Sequence, residues 1–243
     1  MKNLYIDIGN TSVKFAVDKN ESIEFIASFL IKDLNTTNIS ALLPNDIEEV
    51  FISSVVPNLT EDIKNIFVGK KVHIVETSIP IDVSLKIDDP KELGVDLFAD
   101  LAGASEIIKG PMLIIDLGTA SKFLYVDENN NFTSCLIING LQSSLRGLGA
   151  SAALLPELTF ENTKPLLECR NTKDVLMSGA YYSLVESING IVARYEKEIG
   201  HPVTKILTGF NSILVAKDLN FSYTLETYLC LKGLKVISKK IRG

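Results

Sequence analysis

The pattern of apolar and polar positions predicts a chain in which short strands alternate with helices. Each predicted strand is a short apolar run that ends at glycine, proline or a polar turn. In the first half these runs are residues 4–8, 13–17, 22–29, 50–56 and 72–75. An amphipathic segment around residues 37–43 and a helix rich in Ala and Leu, from Gly94 to about residue 108, complete this half.

The same order of elements returns in the second half. Its predicted strands are residues 113–116, 122–126, 132–138 and 203–207, and its predicted helices are residues 141–155 and 172–199. A last strand and helix are predicted after Gly209, up to the basic tail at residues 239–242. Pro156 ends the first of these helices, and Thr172 is the predicted N-cap of the second. The order strand, strand, strand, helix, strand, helix therefore occurs twice. It predicts one α/β half over residues 1–109 and another over residues 110–243.

One short motif occurs at the start of each half. Residues 4–11 read LYIDIGNT and residues 113–120 read LIIDLGTA, so each copy is an apolar run followed by Asp, one apolar residue and Gly. The run predicts a buried strand, and the glycine permits a tight turn whose backbone N–H groups can approach an anion. The Asp at the strand end can hold a cation. Two such turns predict a nucleoside triphosphate and its metal bound between two duplicated halves.

This arrangement resembles the duplicated ribonuclease-H-like fold of the actin, hexokinase and Hsp70 group. The resemblance implies two halves with mixed five-stranded sheets flanked by helices, and ATP in the cleft between them. Asp7 is then expected to face Asp116 across the cleft, and two carboxylates so close need cations to stay ionised. Mg²⁺ is therefore expected, with a monovalent cation as a second candidate. The fold alone leaves the reaction open among kinase, chaperone ATPase and phosphatase.

Two carboxylates of the first half are candidates for the chemistry. Asp7 can hold Mg²⁺, while Asn10, Thr11 and the turn amides can donate to phosphate oxygens and Lys14 can add charge. The structural alternative for this turn is an ordinary hairpin with an Asx hydrogen bond. Asp96 stands at the start of a helix, where the helix dipole favours its ionised form. Spacing alone favours a plain helix N-cap for Asp96.

Composition narrows the classes of function. The net charge of −6 argues against non-specific nucleic-acid binding, which needs a basic face. No apolar run approaches the roughly 20 residues that span a bilayer. Three widely spaced cysteines without a C-x-x-C pair argue against a zinc site or a disulfide framework. With no signal-peptide pattern at its start, the chain is expected in the cytoplasm.

The chain contains few histidines that could act as an acid or a base. Only His73 and His201 occur, the first in a strand-like run and the second in a Gly-His-Pro turn. Structural roles are expected for both. Acid–base chemistry is therefore left to carboxylates.

The chain as a whole resembles type III pantothenate kinases. The matching segments keep one order from residue 4 to about residue 237, and although each is short, the ordered set is specific. They are residues 7–11, 53–57, 90–96, 116–120, 140–145, 154–156, 171–172, 178–179, 208–209 and 231–234. The resemblance implies ATP-dependent phosphorylation of pantothenate to 4′-phosphopantothenate, the first step of coenzyme A biosynthesis.

The resemblance also implies roles for individual residues. Asp96 matches the general base that takes the proton from the primary hydroxyl of pantothenate. Asp116 matches a ligand of a monovalent cation, K⁺ or NH₄⁺, and Thr172 reaches the substrate from the second subunit of a homodimer. The implied ATP contacts are Asp7, Ile8, Gly9, Asn10, Thr11, Ser12, Val13, Lys14 and Thr119. The implied pantothenate contacts are Ile87, Gly94, Val95, Asp96, Leu97 and Thr172.

Several positions depart from the family pattern. Leu97 replaces an arginine after the base, and Ile87 stands where a substrate-contacting tyrosine is usual. Phe210 replaces a second glycine after Gly209, where it is expected to crowd the nucleotide. Lys122 adds a charge near the second turn. We interpret the Lys122 ammonium as a replacement for the positive charge that relatives obtain from an arginine or from a bound monovalent cation. The monovalent cation would then be dispensable in this protein.

Three interpretations of the function remain open. The first is an active, divergent pantothenate kinase, and the retained carboxylates of Asp7, Asp96 and Asp116 favour it. The second is a catalytically impaired homologue that acts as a nucleotide- or pantothenate-binding regulatory module. The third is a kinase for another small alcohol, suggested by the altered substrate contacts at Leu97 and Ile87.

Overall fold

A computed structural model describes residues 2–34, 39 and 42–242 of the chain. The amphipathic segment predicted around residues 37–43 therefore lies largely outside the described residues. The strands are β1 Lys2–Ile8, β2 Ser12–Lys19, β3 Ser22–Leu30, β4 Ile47–Ser54, β5 Lys71–Ile74, β6 Ser84–Leu85, β7 Met112–Leu117, β8 Ala120–Val126, β9 Asn131–Asn139, β10 Thr204–Thr208 and β11 Thr224–Leu225. The helices are α1 Pro57–Ile66, α2 Val95–Ile107, α3 Leu141–Ser151, α4 Thr172–Ile199, α5 Ser212–Val215 and α6 Leu229–Arg242.

The chain forms two compact units that are not contiguous in sequence. The first unit combines the chain up to Pro111 with residues 126–134 and with the chain from Tyr228 onward. The second combines residues 112–125 with residues 135–227. Helix α6 belongs to the first unit because it packs against α2 and β1. The boundary between residues 109 and 110 stays a prediction.

A mixed five-stranded sheet forms the frame of the first unit. Its strand order is β3-β2-β1-β4-β5, with β1 antiparallel to β2 and parallel to β4. Alternate residues of β1 point to opposite faces. Leu4, Ile6 and Ile8 pack in the core with Ile63 of α1. On the other face the Tyr5 hydroxyl lies 3.4 Å from Ser238 Oγ of α6, so Tyr5 and Asp7 point toward the layer of α6.

The second unit pairs a sheet with the long helix α4. The strands follow the order β11-β10-β7-β8-β9, and β10 runs parallel to both β7 and β11. Apolar residues of α4, including Tyr181, Leu184 and Ile188, pack on the buried residues of β7 and β8. The Asp-x-Gly turn between β7 and β8 is thereby held on a rigid hairpin.

Two predicted helix boundaries are corrected. Asn171, not Thr172, is the N-cap of α4, because the Asn171 side chain accepts a hydrogen bond from the Asp174 N–H at 3.0 Å. Helix α3 ends at Ser151 rather than near residue 155, because Ala152 takes an extended backbone with φ −133° and ψ 103°. Among the described residues no helix has the length and apolar character to cross a bilayer.

Candidate active site

The first Asp-x-Gly turn closes the hairpin between β1 and β2 in the first unit. The Gly9 N–H donates to the Ser12 carbonyl at 3.0 Å, and Asp7 pairs with Lys14 in the antiparallel register. Asn10 and Thr11 are exposed at the tip. The turn therefore offers backbone and side-chain donors at the surface, above a buried carboxylate.

The Asp7 carboxylate is buried, and only one of its oxygens has a partner. Oδ2 accepts from Lys14 Nζ at 2.8 Å, while Oδ1 has no hydrogen-bond partner although the residue is only 4% exposed. Ser53 lies beside Asp7 in the parallel register of β1 and β4, is 0% exposed, and its Oγ also has no partner. A buried polar group without a partner costs roughly 1–3 kcal/mol, so two on neighbouring strands indicate a place for a polar ligand.

Helix α2 begins with the candidate base. Gly94 is the N-cap of α2, and Asp96 lies in the first turn of the helix. The hypothesis that Asp96 is a plain N-cap is wrong, because the N-cap residue is Gly94 and Asp96 lies inside the first turn. A Cβ at Gly94 would lie 2.5 Å from Asp96 Oδ1, so the glycine leaves the space that the carboxylate uses.

The charges of these groups act on one cysteine of the first unit, the half-buried Cys230. Burial raises the pKa of Cys230, on α6, well above its usual range. Three carboxylates add to the shift and the Lys14 ammonium opposes it; the carboxylates are Asp7, Asp100 and Asp96. Coulombic interactions weaken as the distance between the charges grows. Asp7, Lys14 and Asp96, predicted from separate parts of the sequence, therefore all contribute to the electrostatic environment of this one thiol.

Asp100 is a buried carboxylate near the candidate base that sequence analysis missed. It is only 3% exposed and stands one helical turn after Asp96, so both carboxylates share one face of α2. Asp96 and Asp100 are four residues apart, a spacing that places two side chains on the same face of a helix. This spacing does not by itself indicate a site, because acidic residues are common on the exposed faces of helices. The burial of Asp100 became visible only with the packing of α6 against α2.

The second Asp-x-Gly turn, in the second unit, is built differently. Asp116 Oδ2 accepts from Lys122 Nζ at 2.7 Å, and both side chains are mostly buried. The backbone of Gly209, at φ 86°, lies against the same carboxylate, since a Cβ there would be 2.6 Å from Asp116 Oδ1. Thr119 is exposed at the tip of the turn. Each unit thus contains one Asp-x-Gly turn whose Asp is paired with a lysine of the next strand.

Comparison with known proteins assigns this chain to a family. The family model for type III pantothenate kinase matches residues 3–194. The chain belongs to the type III pantothenate kinase family. A type III pantothenate kinase of Acholeplasma laidlawii is 33% identical, and one of Bifidobacterium animalis subsp. lactis is 30% identical. In both cases the match covers 98% of each chain. The resemblance inferred from the ordered motifs is therefore confirmed.

Solved structures confirm the predicted fold class. A Campylobacter jejuni protein described as a Baf family transcriptional activator superposes with a TM-score of 0.59, at 19% identity and 98% coverage of both chains. Acetate kinase of Porphyromonas gingivalis gives a TM-score of 0.56 at 10% identity, with 99% of both chains covered. At such low identity these likenesses show the duplicated actin-like fold alone.

The remaining predicted contacts of this pantothenate kinase lie in both units. Ile87 is half-buried, Val95 lies beside the candidate base, and Leu97 is buried, all in the first unit. Because Leu97 points into the interior, it does not reproduce the reach of the arginine expected there. Thr172 is exposed at the start of α4 in the second unit. Phe210 is exposed, next to the left-handed Gly209.

His73 has a structural environment, as expected from the sequence. Its Nε2 lies 2.8 Å from Glu49 Oε2, and its ring stacks on Phe51 at 4.6 Å between centroids. His201 is exposed in its turn. Neither is among the groups around Cys230.

Proposed function

We propose that this member of the type III pantothenate kinase family transfers the γ-phosphoryl group of ATP to the primary hydroxyl of pantothenate with Asp96 as the general base. Family membership supports the reaction, which is the first step of coenzyme A biosynthesis. The single observation that carries the assignment of the base is the place of Asp96 in the first turn of α2, where Gly94 leaves space for its carboxylate. A base must lie near the site where phosphates are held.

The turn between β1 and β2 is proposed as the ATP phosphate loop. Phosphoryl transfer needs positioning and charge neutralisation more than covalent chemistry. The exposed tip, with Asn10, Thr11 and the backbone amides from Gly9 to Lys14, can supply the donors. The Lys14 ammonium supplies a positive charge beside them. The second turn, with Thr119 at its tip, is proposed as a further ATP contact.

The residues at the end of β1 fit Mg²⁺. This ion usually keeps several waters and is held by one or two carboxylates together with substrate phosphates. The unpartnered Asp7 Oδ1 is an oxygen donor of that kind, and Ser53 Oγ can bind one of the ion's waters. When bound, the ion would neutralise charge that develops on the phosphates. Among the described residues no three acidic, histidine or cysteine side chains form a metal cluster.

Asp96 is proposed to hold the proton lost by the substrate. A carboxylate in the first turn of α2 is a group of the kind that accepts such a proton. The neighbouring residues Gly94, Val95 and Leu97, together with Ile87, are proposed to contact pantothenate. The buried Leu97 cannot supply the charge of an arginine, so Lys14 and Mg²⁺ are left to neutralise the transferring group in this unit.

We also propose a homodimer in the cytoplasm, with Thr172 of one subunit reaching the other subunit's substrate. Leu136 and Ile137 of β9 are exposed although they are large and apolar. Nearby, a surface cavity of about 570 Å³ is lined by residues of β9, α3 and α4, among them Ser183, Ser187 and Gly190. Consecutive strand residues point to opposite faces, so β9 presents an exposed apolar side chain on each face, and such side chains are candidate contacts for a partner. None of the three cysteines forms a disulfide, which supports a reducing compartment.

The proposed base is tested by ADP release with and without pantothenate. Asp96→Asn is expected to lower the pantothenate-stimulated rate by about 10²- to 10⁴-fold, because it removes the proton acceptor and little else. Glu106→Gln, an exposed carboxylate change in the last turn of the same helix, should leave the rate unchanged.

Three outcomes would contradict the proposal. An Asp96→Asn variant with the rate of the unsubstituted enzyme would exclude this residue as the base. ATP binding without turnover on pantothenate would favour a regulatory module. Turnover with another small alcohol, and none with pantothenate, would favour a kinase of different substrate choice.

A further inference from the structure

The second turn does not fit the monovalent cation that the family resemblance implies at Asp116. Such a cation needs oxygen ligands, which carboxylates and backbone carbonyls supply. Here a protein cation is already in contact, because Lys122 Nζ lies 2.7 Å from Asp116 Oδ2. The two side chains are only 18% and 15% exposed, so the ammonium is a fixed part of the site rather than a solvated surface charge.

The carbonyl oxygens of this turn accept from protein donors as well. The Asn211 backbone N–H donates to the Leu117 carbonyl at 2.9 Å, and the Asn211 side chain donates to the Gly118 carbonyl at 3.1 Å. The Thr119 carbonyl accepts from the Gly140 N–H at 3.1 Å and from Ser143 Oγ at 2.6 Å. These hydrogen bonds hold the carbonyls of the turn in place beside the Lys122–Asp116 pair.

The first turn provides a comparison within the same chain. Asp7 is also paired with a lysine, Lys14, yet its buried Oδ1 has no partner and can still accept an added cation. In the part of the chain that the structure describes, Asp116 has no such buried, unpartnered oxygen. The duplicated turns thus differ in one respect: among the described residues a buried, unpartnered carboxylate oxygen is found at Asp7 and not at Asp116.

We propose that Lys122 is the resident cation of the second turn and makes phosphorylation by this enzyme independent of K⁺ and NH₄⁺. An ammonium group is a compact point charge comparable to such an ion, and its covalent tether keeps it beside Asp116 at any salt composition. Lys122 would act as a positioning residue, through Asp116 and the backbone of the turn. The inference rests on the proposed kinase activity for its kinetic consequence, but not for its prediction about cation binding.

The test compares KCl with N-methylglucamine chloride at equal ionic strength. The unsubstituted enzyme should show the same pantothenate-stimulated ADP release in both salts. Lys122→Thr should lose at least about tenfold in N-methylglucamine chloride, because removing one stabilising charge or donor from such a site typically costs that much or more. KCl should restore most of the lost rate. Lys122→Arg, which keeps the charge, should remain independent of the salt.

A second readout needs neither ATP nor pantothenate. The melting temperature of Lys122→Thr should rise in KCl relative to N-methylglucamine chloride, since the ion then binds at Asp116 and stabilises the folded state. The unsubstituted protein should show no such difference. Lys205→Thr is the matched control, because Lys205 is another buried lysine of the second unit, paired with Glu196 away from the turn. It should lose stability equally in both salts.

The outcomes distinguish a failure of the Lys122 proposal from a failure of the proposed kinase reaction. The role of Lys122 would be overturned if the unsubstituted enzyme lost about tenfold in activity without K⁺. It would also be overturned if the melting temperature of the unsubstituted protein depended on K⁺. The same holds if Lys122→Thr remains active and indifferent to K⁺. Absence of ADP release in every salt would contradict the kinase proposal, while the melting temperatures would still decide on Lys122. If Lys122→Thr does not fold, the salt response of the unsubstituted protein decides.

Discussion

At the scale of single residues, two carboxylates in equivalent turns have acquired different environments. Asp7 keeps one oxygen without a partner, whereas Asp116 is neutralised by Lys122. The sequence predicts both turns, since the Asp-x-Gly pattern after an apolar run is local. The unpartnered Ser53 beside Asp7 was not predicted, because its exposure depends on what packs over the end of β4. The chemical groups of each turn could thus be predicted from the sequence, whereas the burial of Asp7 and Ser53 could not.

The environment of Cys230 predicts its reactivity. The thiolate is the reactive form of cysteine, and burial together with nearby carboxylates raises the pKa of this thiol well above its usual range. Native protein treated with iodoacetamide near pH 8 should therefore be alkylated at the exposed Cys135 and spared at Cys230. Mass spectrometry of peptides checks this, and urea-unfolded protein, in which Cys230 should react, is the control. Equal labelling of the two native thiols would contradict the proposed clustering of carboxylates around Cys230.

At the scale of elements, the contact between α2 and α6 positions the candidate base. Gly103 of α2 and Gly233 of α6 lie where the helices approach most closely. A Cβ at Gly103 would be 2.7 Å from the Leu229 carbonyl, and one at Gly233 would be 1.7 Å from the Ala99 carbonyl. The sequence predicts helix α2 from its apolar spacing, but no local signal pairs it with a helix over a hundred residues away. The glycines become interpretable only once the two helices are in contact.

Gly233→Ala should therefore destabilise the protein strongly. Its methyl group cannot be accommodated without separating α6 from α2, and overpacking of this kind costs about 3 kcal/mol. Urea unfolding followed by circular dichroism measures the change in the free energy of unfolding. Gly147→Ala is the matched control, because a Cβ on this glycine of α3 meets no atom within 4 Å. That change should stabilise the helix by about 0.5–1 kcal/mol. Similar effects of both substitutions would show that the helices are not held by close backbone contact.

At the scale of the whole molecule, the duplication is visible in sequence but the course of the chain between units is not. Repeated strands and repeated turns predict two similar halves, and comparison with solved structures confirms the fold class. The last helix nevertheless returns to the first unit, where Leu231, Leu234 and Ile237 are buried. A pattern of apolar positions identifies α6 as amphipathic, yet it cannot say which sheet the apolar face covers. The candidate base depends on that choice, because Cys230 on α6 lies among the site carboxylates.

The proposed homodimer can be tested at an exposed apolar residue of β9. Ile137 on β9 is 58% exposed, and a buried apolar anchor at the centre of an interface typically contributes more than about 1 kcal/mol. Light scattering with size-exclusion chromatography should give twice the protomer mass of 26.7 kDa for the unsubstituted protein. Ile137→Glu should shift it toward the protomer mass and lower activity, because Thr172 would no longer reach the partner's substrate. Val68→Glu, at an 85% exposed apolar residue of the first unit, should remain dimeric and active. An active, strictly monomeric unsubstituted protein would contradict both the dimer and the role of Thr172.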